Sequence, residues 1–295
     1  MSPSRKVAVI GIGRMGGAMA GTLRRAGFDL VLWNRSEQKA QDLAGSLGVD
    51  VAPTAAAAAS SAGVVITSLA DDEALLDIYL GDDGVVAGMG PGSVAVDTST
   101  VDPETVRRVG DAVDATGAGF LDAPVSGSVS TVEQGNLTIM VGGDEALLPQ
   151  VTPVLEALSA RVIPVGARGS GAAAKLAVNA LVHGLNIALS EALVLAERAG
   201  VDRKVAYEVF ASGAAGAPFV HYKRAAYEDP ERAAVAFSLD LVAKDLELIT
   251  GLGRRVGAPL DQAEVGLTIV RDAIAGGLGD ADLSAVAVHL RERAS

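Results

Sequence analysis

The 295-residue chain contains no cysteine, which excludes disulfides, thiolate catalysis and cysteine-ligated metals, and fits a reducing compartment. Aromatic residues are scarce as well, 3% against 49% for all apolar residues, so any core must be built from Ala, Val and Leu. Positive charge is in deficit: 24 Lys and Arg stand against 36 Asp and Glu, for a formal net charge of -12. That balance argues against nucleic acid and anionic membrane surfaces as partners, since both need basic patches. An anionic ligand must therefore be held by a local site. No apolar run is expected to approach the length of a membrane span, because Gly, Asp or Arg interrupts each one. The opening MSPSRK leads straight to an apolar strand without a signal core. These features together predict a soluble cytoplasmic protein, and no metal site is expected.

What is present is an alternation. VAVI, DLVLW, GVVITSLA, SVAVDTS and GFLDAPVS read as short buried strands, with helix-compatible stretches between them. Strand-helix alternation implies crossover connections and a largely parallel, doubly wound sheet covered on both faces. The first helix is expected from Ala18 to Arg25, and the next over SEQKAQDLAGSLG with Ser36 as N-cap and Gly48 at its end. After RVIPVG the alternation stops. Over 171–199 only Gly184 interrupts helix-compatible residues, which predicts one long helix bridging two domains, and beyond it no convincing strand appears. The expected fold is therefore α/β: a Rossmann-type sheet domain over 1–166, a bridging helix over 167–200 and an all-helical domain over 201–295.

In VIGIGRMG, the residues Gly11, Gly13 and Gly16 follow a strand and open a helix in G-x-G-x-x-G spacing. The first glycine permits a tight turn, the second lets the backbone approach a pyrophosphate and the third lets helix and strand pack, with unpaired helix N–H groups facing the phosphates. The loop Gly11, Ile12, Gly13, Arg14, Met15 and Gly16 is thus expected to bind a dinucleotide. The second strand ends in Trp33-Asn34-Arg35-Ser36. Selectivity for NAD usually needs an acidic residue here to hold the ribose 2′-hydroxyl, whereas Arg accommodates a 2′-phosphate. Asn34, Arg35, Ser36 and Lys39 favour NADP, with NAD as the other choice. The bland alternative is a helix cap at Ser36 flanked by solvated cations.

Lys175 stands in an alanine-rich, otherwise uncharged stretch of the long helix. Such a lysine either reaches to water or is held in a cleft for chemistry. Asn179 lies four residues on and shares its face, and His183, another four on, is expected at the helix surface or in interdomain packing. Over 121–143, a strand ends in Asp-Ala-Pro-Val and turns through Ser126, Gly127 and Ser128. Hydroxyls and backbone N–H groups there suit a carboxylate, although a plain tight turn reads equally well.

Four segments in order, GIGRMG, DAPVSGS with its trailing GNLTIMVGG, GSGAAAKLAVN and FSLDLVAKDLELI, resemble the β-hydroxyacid dehydrogenase family, which includes 3-hydroxyisobutyrate dehydrogenase and the glyoxylate/succinic semialdehyde reductases. The resemblance implies hydride transfer between a nicotinamide and a small 3-hydroxy acid or its semialdehyde. It further implies that Lys175 passes the proton and Asn179 orients the same oxygen. Ser126, Gly127 and Ser128 would bind the substrate carboxylate, with Thr100 near substrate and nicotinamide. Leu69, Ala70 and Lys244 would line the cofactor, and a homodimer or homotetramer is expected. Two departures stand out: Ser-Gly-Ser where two glycines often follow the serine, and Val178-Asn179 where two asparagines often stand. The competing readings are an imine reductase of the same architecture, which typically lacks the lysine, and a cofactor-binding module without catalysis.

Overall fold

The computed structural model describes residues 6–232 and 234–293. The opening segment read above as lacking a signal core is, over 1–5, outside the described residues. Two compact units divide at Lys175/Leu176.

In the first unit, β1 (Lys6–Ile10), β2 (Asp29–Trp33), β3 (Asp50–Val51), β4 (Val64–Thr67), β5 (Val94–Asp97) and β6 (Gly119–Asp122) run parallel in the order β3-β2-β1-β4-β5-β6. The crossovers between them are α1 (Arg14–Arg25), α2 (Glu37–Leu47), α3 (Ala55–Ser60), then α4 (Asp72–Leu80) with α5 (Val85–Gly88), and α6 (Pro103–Asp114). Beyond β6 come β7 (Val125–Ser126), α7 (Val129–Glu133), β8 (Leu137–Gly143), α8 (Leu148–Leu158) and β9 (Ser159–Gly166). There β8 lies antiparallel to β6 and β7 and parallel to β9.

The inner positions of β1, β2, β4 and β5 are apolar because both faces are covered. Val7, Val9, Leu30, Leu32, Val64, Ile66, Val94 and Val96 belong to one core, with Met19 and Leu23 of α1 and Val154 and Leu155 of α8. Ala8, Ile10, Val31, Val65 and Ala95 point the other way, to Ala58, Leu75, Val106 and Val109. This period-two alternation between two buried faces is what a parallel sheet requires.

The second unit is built from helices: α9 (Ser170–Arg198), which begins in the first unit, then α10 (Arg203–Ser212), α11 (Pro218–Glu228), α12 (Leu239–Val256), α13 (Asp261–Ala273) and α14 (Val286–Arg293). Its core includes Leu176, Leu193, Tyr207, Leu246 and Val270. A buried pair, Lys223 Nζ to both oxygens of Asp282 at 2.9 and 2.8 Å, ties α11 to the segment before α14.

Two expectations need correction. The first helix starts at Arg14, four residues before Ala18, because Gly13 occupies the cap position and Gly16 and Gly17 are already helical. Glycine was read as turn there, but a methyl on Gly16 would fall 2.0 Å from the Gly11 carbonyl oxygen, so close packing dictates the residue and not a break in the helix. Second, α9 is long and apolar enough to cross a membrane by length and composition, with a mean hydropathy of 1.5 over its most apolar window. Its small and aliphatic residues outweigh the glycines at 171 and 184, and buried Asn179, His183, Asn186 and Ser190 lie on its inward side.

Candidate active site

Strand order reverses between β1 and β4, so the crevice at their carboxyl ends is where a ligand meets a doubly wound sheet. Gly11 follows β1 with φ +84°, and a side chain on it would strike the Ser68 carbonyl oxygen at 2.5 Å. Gly13 caps α1 without any side-chain hydrogen bond to the helix, and no protein atom lies within 4 Å of where its Cβ would be. The amino end of α1 therefore presents its N–H groups to an open, exposed position, as a pyrophosphate requires. A groove of about 600 Å³ continues from Gly13 and Arg14 along Gly17 and Gly21 of α1, opposite Lys39 and Leu43 of α2.

At the end of β2, the Asn34 side chain accepts from the Ile12 N–H at 3.2 Å and donates to the Ser36 carbonyl at 3.1 Å. It stitches the glycine loop to the start of α2, a double role that a carboxylate, lacking a donor, cannot fill. Ser36 is at the cap position of α2, but its hydroxyl makes no capping bond. Arg35, Ser36 and Lys39 are exposed together at this helix end.

After β4 and β5, a buried polar network joins the two turns. Asp97 Oδ1 accepts from the Thr67 and Ser99 hydroxyls, both at 2.7 Å, and Tyr79 lies 3.1 Å from the Thr67 hydroxyl. Ser99 in turn accepts from the Leu69 N–H at 2.9 Å. The turn carrying Leu69 and Ala70 and the turn carrying Thr100 are thereby held as one piece. Burial pushes the Asp97 carboxyl up to about 6, against the lowering effect of the Ser99 and Thr67 hydrogen bonds, and its Oδ2 has no partner among the described residues.

The loop after β6 carries Ser126, Gly127 and Ser128. Gly127 has φ +141° and is exposed. Ser128, expected to bind a carboxylate, also caps α7: its hydroxyl accepts from the Thr131 N–H, and its own N–H donates to the Thr131 hydroxyl at 3.1 Å. The Thr at 131 makes this capping box, a signal present in SGSVST and overlooked beside the turn-forming residues.

Along α9, Lys175 and Asn179 are one turn apart. In the second unit Asn179 Nδ2 donates to Asp245 Oδ2 at 2.6 Å, and His183 Nε2 lies 3.3 Å from the same oxygen. Lys244 Nζ pairs with Asp245 Oδ1 at 3.1 Å. His183 is thus not at the helix surface; it is 3% exposed and packs against Phe237. Asp245, fully buried on α12, is not among the residues the sequence pattern singles out; its signal is an acidic residue at a core position of an amphipathic helix.

Residues 6–166 match the family described as the NAD binding domain of 6-phosphogluconate dehydrogenase. Residues 169–290 match the NAD-binding domain of NADP-dependent 3-hydroxyisobutyrate dehydrogenase. Glyoxylate/succinic semialdehyde reductase 2 of Arabidopsis thaliana is 32% identical over 97% of this chain and 79% of its own. The chain belongs to the β-hydroxyacid dehydrogenase family. It is accordingly an NAD(P)-dependent oxidoreductase. Among solved structures, the 3-hydroxyisobutyrate dehydrogenase of Mycobacterium tuberculosis with L-serine aligns at a TM-score of 0.86 and 31% identity, covering 99% of this chain and all of the other. An imine reductase from Pseudomonas aligns at 0.65 and 23% identity, over 98% of this chain and all of the other, and shares the fold alone.

Asp97 generates a pH prediction. Its folded-state pKa is raised from 3.8 to about 6, so its ionisation costs nothing below pH 4, grows costly through the window from 4 to 6, and stays costly above it. Asp97→Asn keeps an acceptor for Thr67 and Ser99 but cannot ionise. Relative to wild type it should gain about 2 kcal/mol between pH 4.5 and 7.5 in denaturant unfolding of the first unit; an equal difference at both pH values would refute the raised pKa.

Proposed function

We propose that this enzyme interconverts a small 3-hydroxy acid and its semialdehyde, with Lys175 as the proton relay and NADP preferred over NAD. The observation that carries this reading is the Lys175–Asn179 spacing on one helix, with the Asn179 amide fixed by Asp245. Hydride moves to or from the nicotinamide when the cofactor is bound. The carbonyl oxygen gains a proton on reduction, which the Lys175 ammonium donates, and the alcohol oxygen loses one on oxidation, which the Lys175 amine accepts. Asn179 has one amide hydrogen engaged by Asp245, which locks the plane of the side chain and aims its remaining groups. The Ser126 hydroxyl, the Gly127 N–H and the Ser128 hydroxyl, which accepts the capping N–H and keeps its own proton to donate, are the groups assigned to the substrate carboxylate. Thr100, in the turn held to that of Leu69 and Ala70 through Ser99, is assigned a position near substrate and nicotinamide.

The residues fit a phosphorylated dinucleotide. The uncapped amino end of α1 suits the pyrophosphate, and position 34 lacks the carboxylate that would bind a bare ribose. Arg35 and Lys39, with the Ser36 hydroxyl between them, offer charge-assisted bonds to a 2′-phosphate. Lys244 shares its charge with Asp245, so its assigned role toward the cofactor is that of a paired cation. A homodimer or homotetramer belongs to the same reading, supported by Leu181 and Leu195 of α9 and Val205 and Val209 of α10, all more than half exposed; a monomeric mass in solution at micromolar concentration would count against it.

Lys175→Ala should lower turnover of glyoxylate, succinic semialdehyde or 3-hydroxyisobutyrate by roughly 10²–10⁴-fold, with the NADPH Kd near wild type. Unchanged turnover would remove Lys175 from the chemistry, and activity confined to a cyclic imine would move the protein to the competing reaction. Arg35→Ala should weaken NADPH by about tenfold or more and leave NADH nearly untouched; equal losses for both would end the case for NADP.

A further inference from the structure

We propose that Asp122 is a positioning residue for Lys175: its carboxylate clasps the amino end of α9 and sets the helix turn from which the lysine projects. The inference rests on the reading of Lys175 as proton relay, and everything it uses lies in the first unit.

Asp122 ends β6 and is 1% exposed. Its Oδ1 accepts from the Gly169 N–H and its Oδ2 from the Ala172 N–H, each at 2.9 Å. These are amides at the start of α9, where helical N–H groups have no partner inside the helix. The surrounding backbone is shaped around that carboxylate. A methyl on Gly142 would lie 2.6 Å from Oδ1, and one on Gly171 would lie 2.8 Å from Oδ2 and 2.4 Å from the Asp122 carbonyl oxygen. Gly169 has φ +88°, which turns its N–H into place. Gly142, Gly169 and Gly171 are thereby accounted for around one carboxylate site.

A helix ordinarily takes its cap from the residue just before it. Here the cap comes from 47 residues away, and only three residues separate Asp122 from Ser126. One side chain therefore fixes the helix of Lys175 against the strand end that begins the substrate loop. The neighbouring loop is anchored separately, by Arg168 to Asp111 at 2.9 Å and to Asp114 at 2.6 Å on α6, so loss of Asp122 need not release the whole segment. Charged groups around the clasp are Asp97, in register with Asp122 on β5, Arg107 of α6 beside Gly169, and Arg168. Burial raises the Asp122 pKa while the Gly169 and Ala172 N–H groups oppose the rise.

The carboxylate has a second effect on the same lysine. An N-terminal helix turn disfavours a nearby cation, and a negative group at that turn offsets this. Asp122→Asn retains the shape, removes the charge and sets an NH2 against a backbone N–H. In the full-length enzyme, with folding checked by circular dichroism, D122N should keep its NADPH Kd within about twofold and lose at least about tenfold in kcat. The descending limb of the kcat–pH profile for carbonyl reduction should move to lower pH by about half a unit. If D122N does not accumulate folded, Asp122→Ser, which can still serve one amide, is measured in the same way. A folded D122N or D122S with the wild-type kcat and pH profile overturns the proposal, as does a loss of turnover that is matched by loss of NADPH binding. Lys175→Ala separates the two readings: if that variant retains turnover, the role of Lys175 falls and the positioning role with it, whereas inactive K175A beside fully active D122N defeats Asp122 alone.

Discussion

A parallel sheet buried on both faces has no room for charge along its strands, and this constraint arranges the rest of the first unit. Residues that carry charge or hydrogen-bonding groups must wait for the strand ends. At the carboxyl edge, Asp97 and Asp122 terminate adjacent strands in register, while Gly11 and Ser68 end the two on either side of the switch point. Each buried carboxylate organises a different neighbour: Asp97 joins the turns that carry Leu69 and Thr100, and Asp122 receives the amides of α9. The groups assigned to cofactor and substrate are consequently held by carboxylates that need touch neither.

Such an arrangement has an energetic cost that differs between the two sites. Asp122 receives backbone N–H groups on both oxygens, which offsets much of its desolvation. Asp97 concentrates its bonds on Oδ1, and burial dominates, so it ionises only near pH 6. Two carboxylates on neighbouring strands also repel each other, and the one with fewer bonds absorbs the rise. Stability is given up at the position where two cofactor turns must be held together, which is where sheet proteins place their ligand sites.

The architecture was legible because it depends on period and punctuation. Apolar strands in alternation with helices, the G-x-G-x-x-G spacing and the end of alternation after RVIPVG each follow from local chemistry that the sequence displays directly. Partner choice was not legible in the same way. Ser36 and Ser128 are both serines before helices, yet the structure caps α7 with Ser128 and leaves the α2 cap position without a side-chain bond. Thr131 answers Ser128 across one turn, and the residue in the same place after Ser36 is Lys39, which has no hydroxyl to return the bond. His183 and Asp245 were obscured by distance along the chain, since their 3.3 Å approach joins helices 62 residues apart. The apolar composition that made α9 easy to find also concealed that it carries a buried polar row.

That row decides what kind of helix α9 is. Lys175, Asn179 and His183 follow one another at four-residue intervals, and the last two share a single buried oxygen of Asp245 on α12. At about 43 Å for its 29 residues, the helix would be less tightly fixed against small rotations about its axis if only aliphatic contacts held it, because apolar attraction is non-directional. A 2.6 Å bond from Asn179 to a carboxylate removes that freedom in the second unit, as the two N–H bonds to Asp122 remove it at the amino end. Hydrogen bonds to buried charge are directional and costly to break, so they define a rotational setting where apolar packing defines only a face. For a lysine that must deliver a proton to one oxygen atom, the setting of the helix matters as much as the identity of the residue.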